Sequence, residues 1–253
     1  MGMDPDDPFF VLHRDLPREG PGSREFTARA LFAVPEVPHR PRILDLGCGP
    51  GAQTLDLARL LPDAVITAVD RHQPFLDQLD ADARKAGFAD RITTVKGDLR
   101  APPDGPYDLV WAEGSAYFLG FEAAMTQWPA LLNKGGGIAL TDLVRLQDPM
   151  PPDAEALWAN AYPDLSTIAT RRAQVAKAGL VLHDCFVLDA DAAWRPYLDP
   201  LQARIDTLRP SADASLTAVL DRSQHEIDTF WAQPEAANYA FFVVGRPDED
   251  AEA

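Results

Sequence analysis

The chain has 253 residues, 46% of them hydrophobic, and a formal net charge of −16 from 23 basic and 39 acidic side chains. This length can bury one large core, so we expect a single domain over 1–246 followed by an acidic tail at 247–253. The negative charge repels a phosphate backbone, which makes nucleic acid a poor candidate for the substrate. The two cysteines cannot build a disulfide framework, and no apolar stretch approaches the ~20 residues that span a membrane. The sequence therefore predicts a soluble, cytoplasmic protein.

Strands and helices alternate through the first half of the chain. Residues 42–46 (RILDL) and 64–69 (AVITAV) are typical of short buried strands, and the residues from Leu55 to Pro62 between them have helical spacing. The same pattern predicts a helix at 74–86, strands at 92–97 and 107–112, a helix at 121–132, a turn at 132–137 and a strand at 138–142. Such alternation indicates a mostly parallel sheet with helices on both faces.

The second half departs from this simple alternation. Residues 153–178 have a helical pattern that breaks at Pro163, and further strands are predicted at 181–188 and 238–246. Between those two strands the apolar residues recur at spacings of three and four, which predicts a helical insertion over 190–237. A helical segment is also expected at 18–41, before the first strand.

The first predicted strand ends in a loop with three glycines, Gly47-Cys48-Gly49-Pro50-Gly51. A P-loop is excluded because Lys and Ser or Thr do not follow the last glycine. A dinucleotide site has the different spacing G-x-G-x-x-G, and it would be disfavoured by Asp45, a carboxylate two residues before the first glycine. An acid at this position suits a ligand that carries an ammonium group.

The stretch from Asp45 to Gly51 resembles motif I of the class I S-adenosylmethionine-dependent methyltransferases, an acid and one further residue before G-x-G-x-G. Other motifs of that family follow in order. Asp70 ends the second strand, where the family places an acid against the ribose hydroxyls, and Gly97-Asp98-Leu99 follows the third, where an acid accepts from the adenine amino group. Residues 111–114 (WAEG) end the fourth strand, and 132–136 (LNKGG) precede the fifth.

The resemblance implies a Rossmann-like α/β fold with a mostly parallel seven-stranded sheet, flanked by helices, and S-adenosylmethionine as the cofactor. The stretches REGPGS at 18–23, WAEGSAYFLGFE at 111–122 and AYPDLSTI at 161–168 extend it to a bacterial subgroup that methylates small molecules. The cofactor-binding residues implied are Arg18, Gly20, Asp45, Gly47, Cys48, Gly49, Gln53, Thr54, Asp70, Arg71, Asp98, Leu99 and Glu113.

Several of these residues also have a purely structural interpretation. The glycines could serve only a tight strand-to-helix turn. Cys48 is a small buried side chain whose backbone N–H is expected to face the cofactor, rather than a nucleophile. His183 and Cys185 share one face of a strand, but two side chains are not a metal site, so no metal is expected.

Methyl transfer from a sulfonium is an in-line displacement, so the enzyme mainly positions the reactants and excludes water. Glu113 is the first candidate for a general base or amine anchor, and Tyr117 is the second. Arg145 is predicted to hold an anionic group of the substrate. The substrate pocket is predicted to be lined by Trp158, Tyr162, Trp194 and Tyr197.

Two other functions stay open from the sequence alone. One is a cofactor-binding module without catalysis, and the other is an NAD-dependent oxidoreductase, which shares the topology of the first βαβ unit. The methyl acceptor and the oligomeric state, a homodimer included, are not specified by the sequence, because function in such folds resides in loops on a common core.

Overall fold

The computed structural model describes residues 7–247, so the predicted acidic tail lies outside the described residues except for Pro247. The strands are β1 (Arg42–Leu46), β2 (Val65–Asp70), β3 (Ile92–Lys96), β4 (Tyr107–Ala112), β5 (Leu132–Arg145), β6 (Ser166–Thr167), β7 (Val181–Val187) and β8 (Ala237–Gly245). The helices are α1 (Pro8–His13), α2 (Arg24–Phe32), α3 (Ala52–Leu60), α4 (Gln73–Ala86), α5 (Phe121–Gln127), α6 (Pro152–Ala161), α7 (Ile168–Lys177), α8 (Ala190–Leu208) and α9 (Ala214–Ala232).

One sheet with the order β3-β2-β1-β4-β5-β8-β7 organises the molecule, and the short β6 pairs beside β5. The strands β3, β2, β1, β4 and β5 are parallel to their neighbours, whereas β8 is antiparallel to both β5 and β7. This confirms the predicted α/β fold with a mostly parallel sheet. Helices α8 and α9 form the predicted insertion before the last strand.

The strand order reverses between β1 and β4, because the chain leaves β3 at one edge and returns to the middle of the sheet. At such a switch point the loops that follow the two strands diverge to opposite faces, and a crevice opens at their carboxyl ends. The glycine loop follows β1 and Glu113 follows β4, so both lie at this crevice.

Both faces of the sheet are buried, and the strands alternate between two apolar layers. In β8, Tyr239 and Phe241 belong to one layer and Ala240 and Phe242 to the other. All four side chains are at most 4% exposed. Near-continuous apolar runs such as AFFVV are the expected sequence of a strand covered on both sides.

The predicted turn at 132–137 is instead the first part of β5. Leu132 pairs with Tyr107, and the ladder resumes at Gly137 opposite Leu109 after an irregularity. Asp108 fixes this junction, since its Oδ1 accepts from Asn133 Nδ2 at 2.7 Å. A Cβ on Gly136 would lie 2.9 Å from the Asp108 carbonyl oxygen, so the glycine is needed for close approach between strands, not for a turn.

Helix α1 was not predicted, although its start has a recognisable local signal. Asp7 caps the helix by accepting from the Phe9 N–H at 2.9 Å, and Pro8 occupies the first turn. The helix is held against the insertion by Arg204, whose guanidinium donates to the Val11 and Leu12 carbonyls at 2.8 and 3.3 Å. This docking brings α1 over the crevice.

Residues 7–247 contain neither a helix suited to a membrane nor a cluster of metal-binding side chains. None of the helices there has the length and apolar character needed to cross a membrane. Within the same range, no group of three or more His, Cys, Asp or Glu side chains is arranged to hold a metal ion.

Candidate functional site

A cavity of about 420 Å³ opens at the carboxyl ends of the parallel strands. Its floor comes from the loops after β1, β2, β3 and β4, and its walls come from the N-terminal segment, α6, α8 and α9. Predicted site residues that line it are Arg18, Gly20, Gly47, Cys48, Gly49, Gln53, Asp70, Arg71, Leu99, Glu113, Tyr117, Trp158, Tyr162, Trp194 and Tyr197. Four predicted residues do not line it: Asp45, Thr54, Asp98 and Arg145.

The glycine loop has the backbone conformation that the sequence predicts for a close approach to a ligand. Gly47, Gly49 and Gly51 have φ angles of 70°, 54° and 92°, in the left-handed region. A Cβ on Gly47 would lie 2.4 Å from Ser115 Cβ, and one on Gly51 would lie 2.2 Å from Leu79 Cδ1. Glycine is therefore required at both positions for steric reasons.

The backbone amides at the start of this loop bind protein rather than facing the cavity. The N–H groups of Gly47 and Cys48 both donate to the Val69 carbonyl, at 2.8 and 3.0 Å. The Cys48 N–H therefore does not face a ligand, which corrects the expectation for this residue. Its thiol is buried, and burial raises its pKa, consistent with a packing role.

Asp70, at the end of β2, connects two loops of the site and lines the cavity. Its Oδ2 accepts from the Gly49 N–H at 2.9 Å, and its Oδ1 accepts from the His72 N–H at 2.8 Å. Burial raises its pKa, and the hydrogen bonds from His72 and Gly49 oppose that rise. Each carboxylate oxygen has a second acceptor site, so Asp70 can still accept hydrogen bonds from a ligand diol.

Asp45 is fully buried and has no direct access to the cavity. It supports the glycine loop through hydrogen bonds to its neighbours. Its Oδ2 accepts from Thr54 Oγ1 at 2.5 Å, and its Oδ1 accepts from Gln53 Nε2 at 3.3 Å. Gln53 also donates to the Cys48 carbonyl at 3.2 Å. The structure thus gives Asp45 and Thr54 an indirect role, through the position of Gln53 and the loop.

Burial raises the pKa of Asp45 to about 7, whereas an aspartate in an unfolded chain titrates near about 3.9. Between these values the folded protein retains a proton that the unfolded chain has lost. The contribution of Asp45 to the free energy of unfolding is therefore expected to fall as pH rises from about 5 to about 7, by up to about 1.4 kcal/mol per pH unit. Urea unfolding at several pH values would measure this, with Asp45→Asn as the reference that lacks the titration. Parallel curves for the two proteins would contradict it.

Asp98 lies beside the cavity on its solvent side. Its side chain is 35% exposed. Its Oδ2 lies 4.0 Å from Arg71 Nε, and its Oδ1 lies 3.8 Å from Arg100 Nε. Its Oδ1 accepts from the Arg100 N–H at 2.9 Å. The cavity wall at this point is formed instead by its neighbours Gly97 and Leu99. Contact of Asp98 with an adenine amino group stays a prediction.

Arg18 and Glu113 form a buried ion pair that closes the cavity on one side. Arg18 Nη2 lies 3.5 Å from Glu113 Oε2, with side chains 10% and 2% exposed. Arg18 also donates to the Gly20 and Gly22 carbonyls, while Glu113 Oε1 accepts from Thr27 Oγ1 at 2.7 Å and Trp111 Nε1 at 2.9 Å. Burial raises the pKa of Glu113 and lowers that of Arg18. The pair therefore fixes the segment around Gly20; the resemblance also implies that Arg18 and Gly20 close over the cofactor, and that closure stays a prediction.

The predicted substrate residues fall into two groups. Trp158, Tyr162 and Tyr197 line the cavity, as does Trp194. Arg145 does not, because its Nη2 donates to Glu155 Oε1 at 2.7 Å and its Nη1 lies 3.7 Å from Asp148 Oδ1. Arg145 is thus committed to surface carboxylates, and the prediction that it holds an anionic substrate group is not supported by its position.

The structure adds cavity residues that sequence reasoning missed. They include Phe9, Phe10, His13, Glu19, His72, Ser115, Glu226 and Tyr239. Phe10 stacks on the His72 ring with centroids 3.7 Å apart, and His13 Nδ1 lies 2.6 Å from Glu19 Oε2. The pair Asp7-Pro8 is a typical helix start and could have indicated α1. Nothing local distinguishes Glu226 from the other acidic residues of its helix.

Comparison with known proteins agrees with this architecture. A family model described as a methyltransferase domain matches residues 43–136, which contain β1 to β4 and the beginning of β5. A trans-aconitate 2-methyltransferase of Mycobacterium ulcerans is 30% identical over 202 residues, which cover 76% of this chain and 72% of that protein. The chain belongs to the class I S-adenosylmethionine-dependent methyltransferase family.

Within that family, a trans-aconitate 2-methyltransferase of Streptomyces avermitilis is 35% identical over 115 residues. That match covers 44% of this chain, and the chain spans only 43% of that relative's length. A solved structure of a methyltransferase from Geobacter sulfurreducens, in complex with S-adenosyl-L-homocysteine, has a TM-score of 0.83 at 22% identity and covers 98% of this chain and 100% of that one. This last likeness establishes the fold.

Proposed function

We propose that this protein transfers a methyl group from S-adenosylmethionine to a small-molecule acceptor. The observation that carries the proposal is one cavity lined both by the glycine loop with Asp70 and by a group of aromatic side chains. A donor and an acceptor held in one cavity can react by in-line displacement, which needs little more than alignment. Family membership and the S-adenosyl-L-homocysteine bound in the Geobacter relative support the same donor.

The residues present fit this cofactor on structural grounds. Gly47, Gly49 and Gly51 hold the left-handed backbone of the loop at the cavity floor, and Asp70 retains acceptor sites for a ribose diol. Gln53, Arg71 and Leu99 complete the wall beside them. When bound there, S-adenosylmethionine would supply an electrophilic methyl group on a sulfonium.

Tyr117 is better placed than Glu113 to contact the acceptor. Glu113 Oε1 accepts from Thr27 and Trp111, and its Oε2 has no hydrogen bond but lies 3.5 Å from Arg18 Nη2. The proposed contribution of Glu113 is therefore to hold the closing segment through this ion pair. Burial raises the pKa of Tyr117, so its hydroxyl stays protonated near neutral pH and would orient the acceptor by a hydrogen bond. An acceptor whose nucleophilic atom ionises by itself would need no further base.

The charge of the cavity argues against a polyanionic acceptor. The named relatives act on trans-aconitate, a tricarboxylate, which requires cationic partners. The acidic side chains of this cavity are Glu19, Asp70, Glu113 and Glu226. Arg145 lies outside it, and the guanidinium of Arg18 is paired with Glu113. Arg71 lines the cavity, but its Nε lies 4.0 Å from Asp98 Oδ2. We therefore propose an acceptor other than a tricarboxylate.

The net charge of −16 supports excluding a nucleic acid partner. A cytoplasmic location belongs to the same proposal and is supported by Cys48 and Cys185, which are both free thiols.

The test is an incubation of the protein with S-adenosylmethionine carrying an isotope-labelled methyl group and a fractionated metabolite extract. Mass spectrometry is expected to find a labelled product that depends on the protein and disappears with excess S-adenosylhomocysteine. Binding of donor and product with equal affinity, and no label in any fraction, would indicate a binding module instead. Transfer of hydride to or from NAD would indicate an oxidoreductase.

A further inference from the structure

Glu226, on α9, is an acid of the cavity without a hydrogen-bond or ion-pair partner in the part of the chain that the structure describes. Glu113 is paired with Arg18, Glu19 with His13, and Asp70 accepts from backbone N–H groups. Among residues 7–247, no side chain or backbone group donates a hydrogen bond to Glu226 or forms an ion pair with it. His13 is near enough to act on its charge, but the His13 ring is directed at Glu19. A carboxylate in a low-dielectric space without a cation is costly unless a ligand supplies one.

Aromatic rings that line the same cavity as Glu226 lie at steep angles to one another. We call this group the aromatic chamber: Tyr117, Trp158, Tyr162, Trp194 and Tyr239. The Tyr162 ring lies 4.6 Å from that of Tyr117, 6.0 Å from that of Trp158 and 6.1 Å from that of Tyr239, with interplanar angles of 50°, 66° and 83°. Rings inclined in this way form separate walls rather than one stacked surface, so several ring faces can contact one ligand group.

Glu226 lines the same cavity as the rings of this chamber, and its charge acts on two of the cavity's tyrosines. Burial is the main cause that raises the pKa of Tyr117, and the Glu226 carboxylate adds to the rise. The same is true of Tyr197, which also lines the cavity. The hydroxyls of Tyr117 and Tyr197 have no hydrogen-bond partner within the described part of the chain. The cavity thus combines the ring faces of the chamber, the hydroxyls of Tyr117 and Tyr197 and the negative charge of Glu226.

We propose that the aromatic chamber and Glu226 bind a positively charged nitrogen group of the methyl acceptor, so that the substrate is an organic ammonium compound. Ring faces attract a cation through their quadrupoles, and the carboxylate adds a direct charge interaction. This proposal rests on the proposed function in one respect, namely that the bound ammonium compound is the methyl acceptor. It is independent of the cofactor contacts, which involve the glycine loop and Asp70.

The experiment uses the full chain saturated with S-adenosylhomocysteine and three probes of similar shape: choline, its neutral isostere 3,3-dimethylbutan-1-ol, and 3,3-dimethylbutanoate. Calorimetry is expected to show choline binding at least about tenfold more tightly than either of the other two. Glu226→Gln, which keeps the shape and removes the charge, is expected to weaken choline binding about tenfold. S-adenosylhomocysteine affinity should stay within twofold.

The control is Asp228→Asn, which removes one charge from the exposed side of the same helix, where Asp228 accepts from Gln224 Nε2 at 3.0 Å. It is expected to bind choline like the unchanged protein.

The proposal is overturned if choline binds no better than its neutral isostere, weak or undetectable binding of both included. It is also overturned if Glu226→Gln and Asp228→Asn behave alike, or if Glu226→Gln weakens S-adenosylhomocysteine as much as choline. Because S-adenosylhomocysteine is titrated in the same samples, a failure of the proposed function would be seen separately, and its binding verifies that each variant is folded.

Discussion

Gly47→Ala is expected to weaken S-adenosylhomocysteine binding by about 100-fold or more. The new methyl group would meet Ser115 Cβ at 2.4 Å, at a residue whose φ of 70° already disfavours alanine. Ser115 cannot easily move away, because its Oγ donates to the Leu46 carbonyl at 2.5 Å. We expect the clash and the backbone strain to cost roughly 3 kcal/mol, which is enough to displace the loop. Since about 1.4 kcal/mol corresponds to a tenfold change in affinity, this cost corresponds to binding that is about 100-fold weaker.

Gly87→Ala is the matched control for this effect. Gly87 has a φ of 76° at the end of α4, but a Cβ there would have open space around it. This variant is expected to lose about 1 kcal/mol of stability and to bind S-adenosylhomocysteine normally. Calorimetric titration and thermal unfolding of both variants separate the two cases. Normal binding by Gly47→Ala, or equal loss in both variants, would contradict the assigned role of the loop.

The second large effect is expected at the buried pair of Arg18 and Glu113. Glu113→Gln and Arg18→Met should each lower the free energy of unfolding by about 3–5 kcal/mol, because each leaves one buried charge without its partner. The double variant should lose less than the sum of the two, by about 1–3 kcal/mol. Each change also loosens the segment around Gly20, which Arg18 holds through two carbonyls, so the binding of S-adenosylhomocysteine should weaken with it.

The exposed ion pair of Lys177 and Glu122 is the comparison for the buried pair of Arg18 and Glu113. Lys177 Nζ lies 2.6 Å from Glu122 Oε1, but the two side chains are 76% and 52% exposed. Glu122→Gln is therefore expected to change stability by less than about 1 kcal/mol. Urea unfolding of the five proteins tests the argument. Strictly additive losses for Arg18→Met and Glu113→Gln, or a loss at Glu122 as large as at Glu113, would refute the coupling.

The sequence was sufficient to predict the elements whose signal is local. The apolar runs at β1 and β4 have the predicted bounds, because their neighbours are sharp breaks in pattern. The turn expected at 132–137 was wrong because Gly136 allows close contact with the backbone of β4, and such a contact between strands cannot be seen in the local sequence. Helix α1 was missed because its stability depends on docking against α8 and α9, which the sequence pattern does not show.

For the candidate site too, what the sequence can predict depends on whether the signal is local or comes from packing. The glycine loop and Asp70 are neighbours of strand ends in the sequence, so their meeting in the crevice could be predicted from the strand order. Whether an acid faces the ligand or the core depends on packing: Asp45 is buried against Thr54, and Asp98 is beside solvent. Glu226 reaches the cavity only because the insertion folds back over the sheet.

The most direct test of the central claim is a calorimetric titration of the protein, stripped of carried-over ligand, with S-adenosylhomocysteine and then with NADH. We expect saturable binding of one S-adenosylhomocysteine per chain, with a Kd on the order of 1 μM, or −8.2 kcal/mol, and no heat from NADH. The absence of S-adenosylhomocysteine binding, or saturable binding of NADH in its place, would contradict the assignment of this cavity.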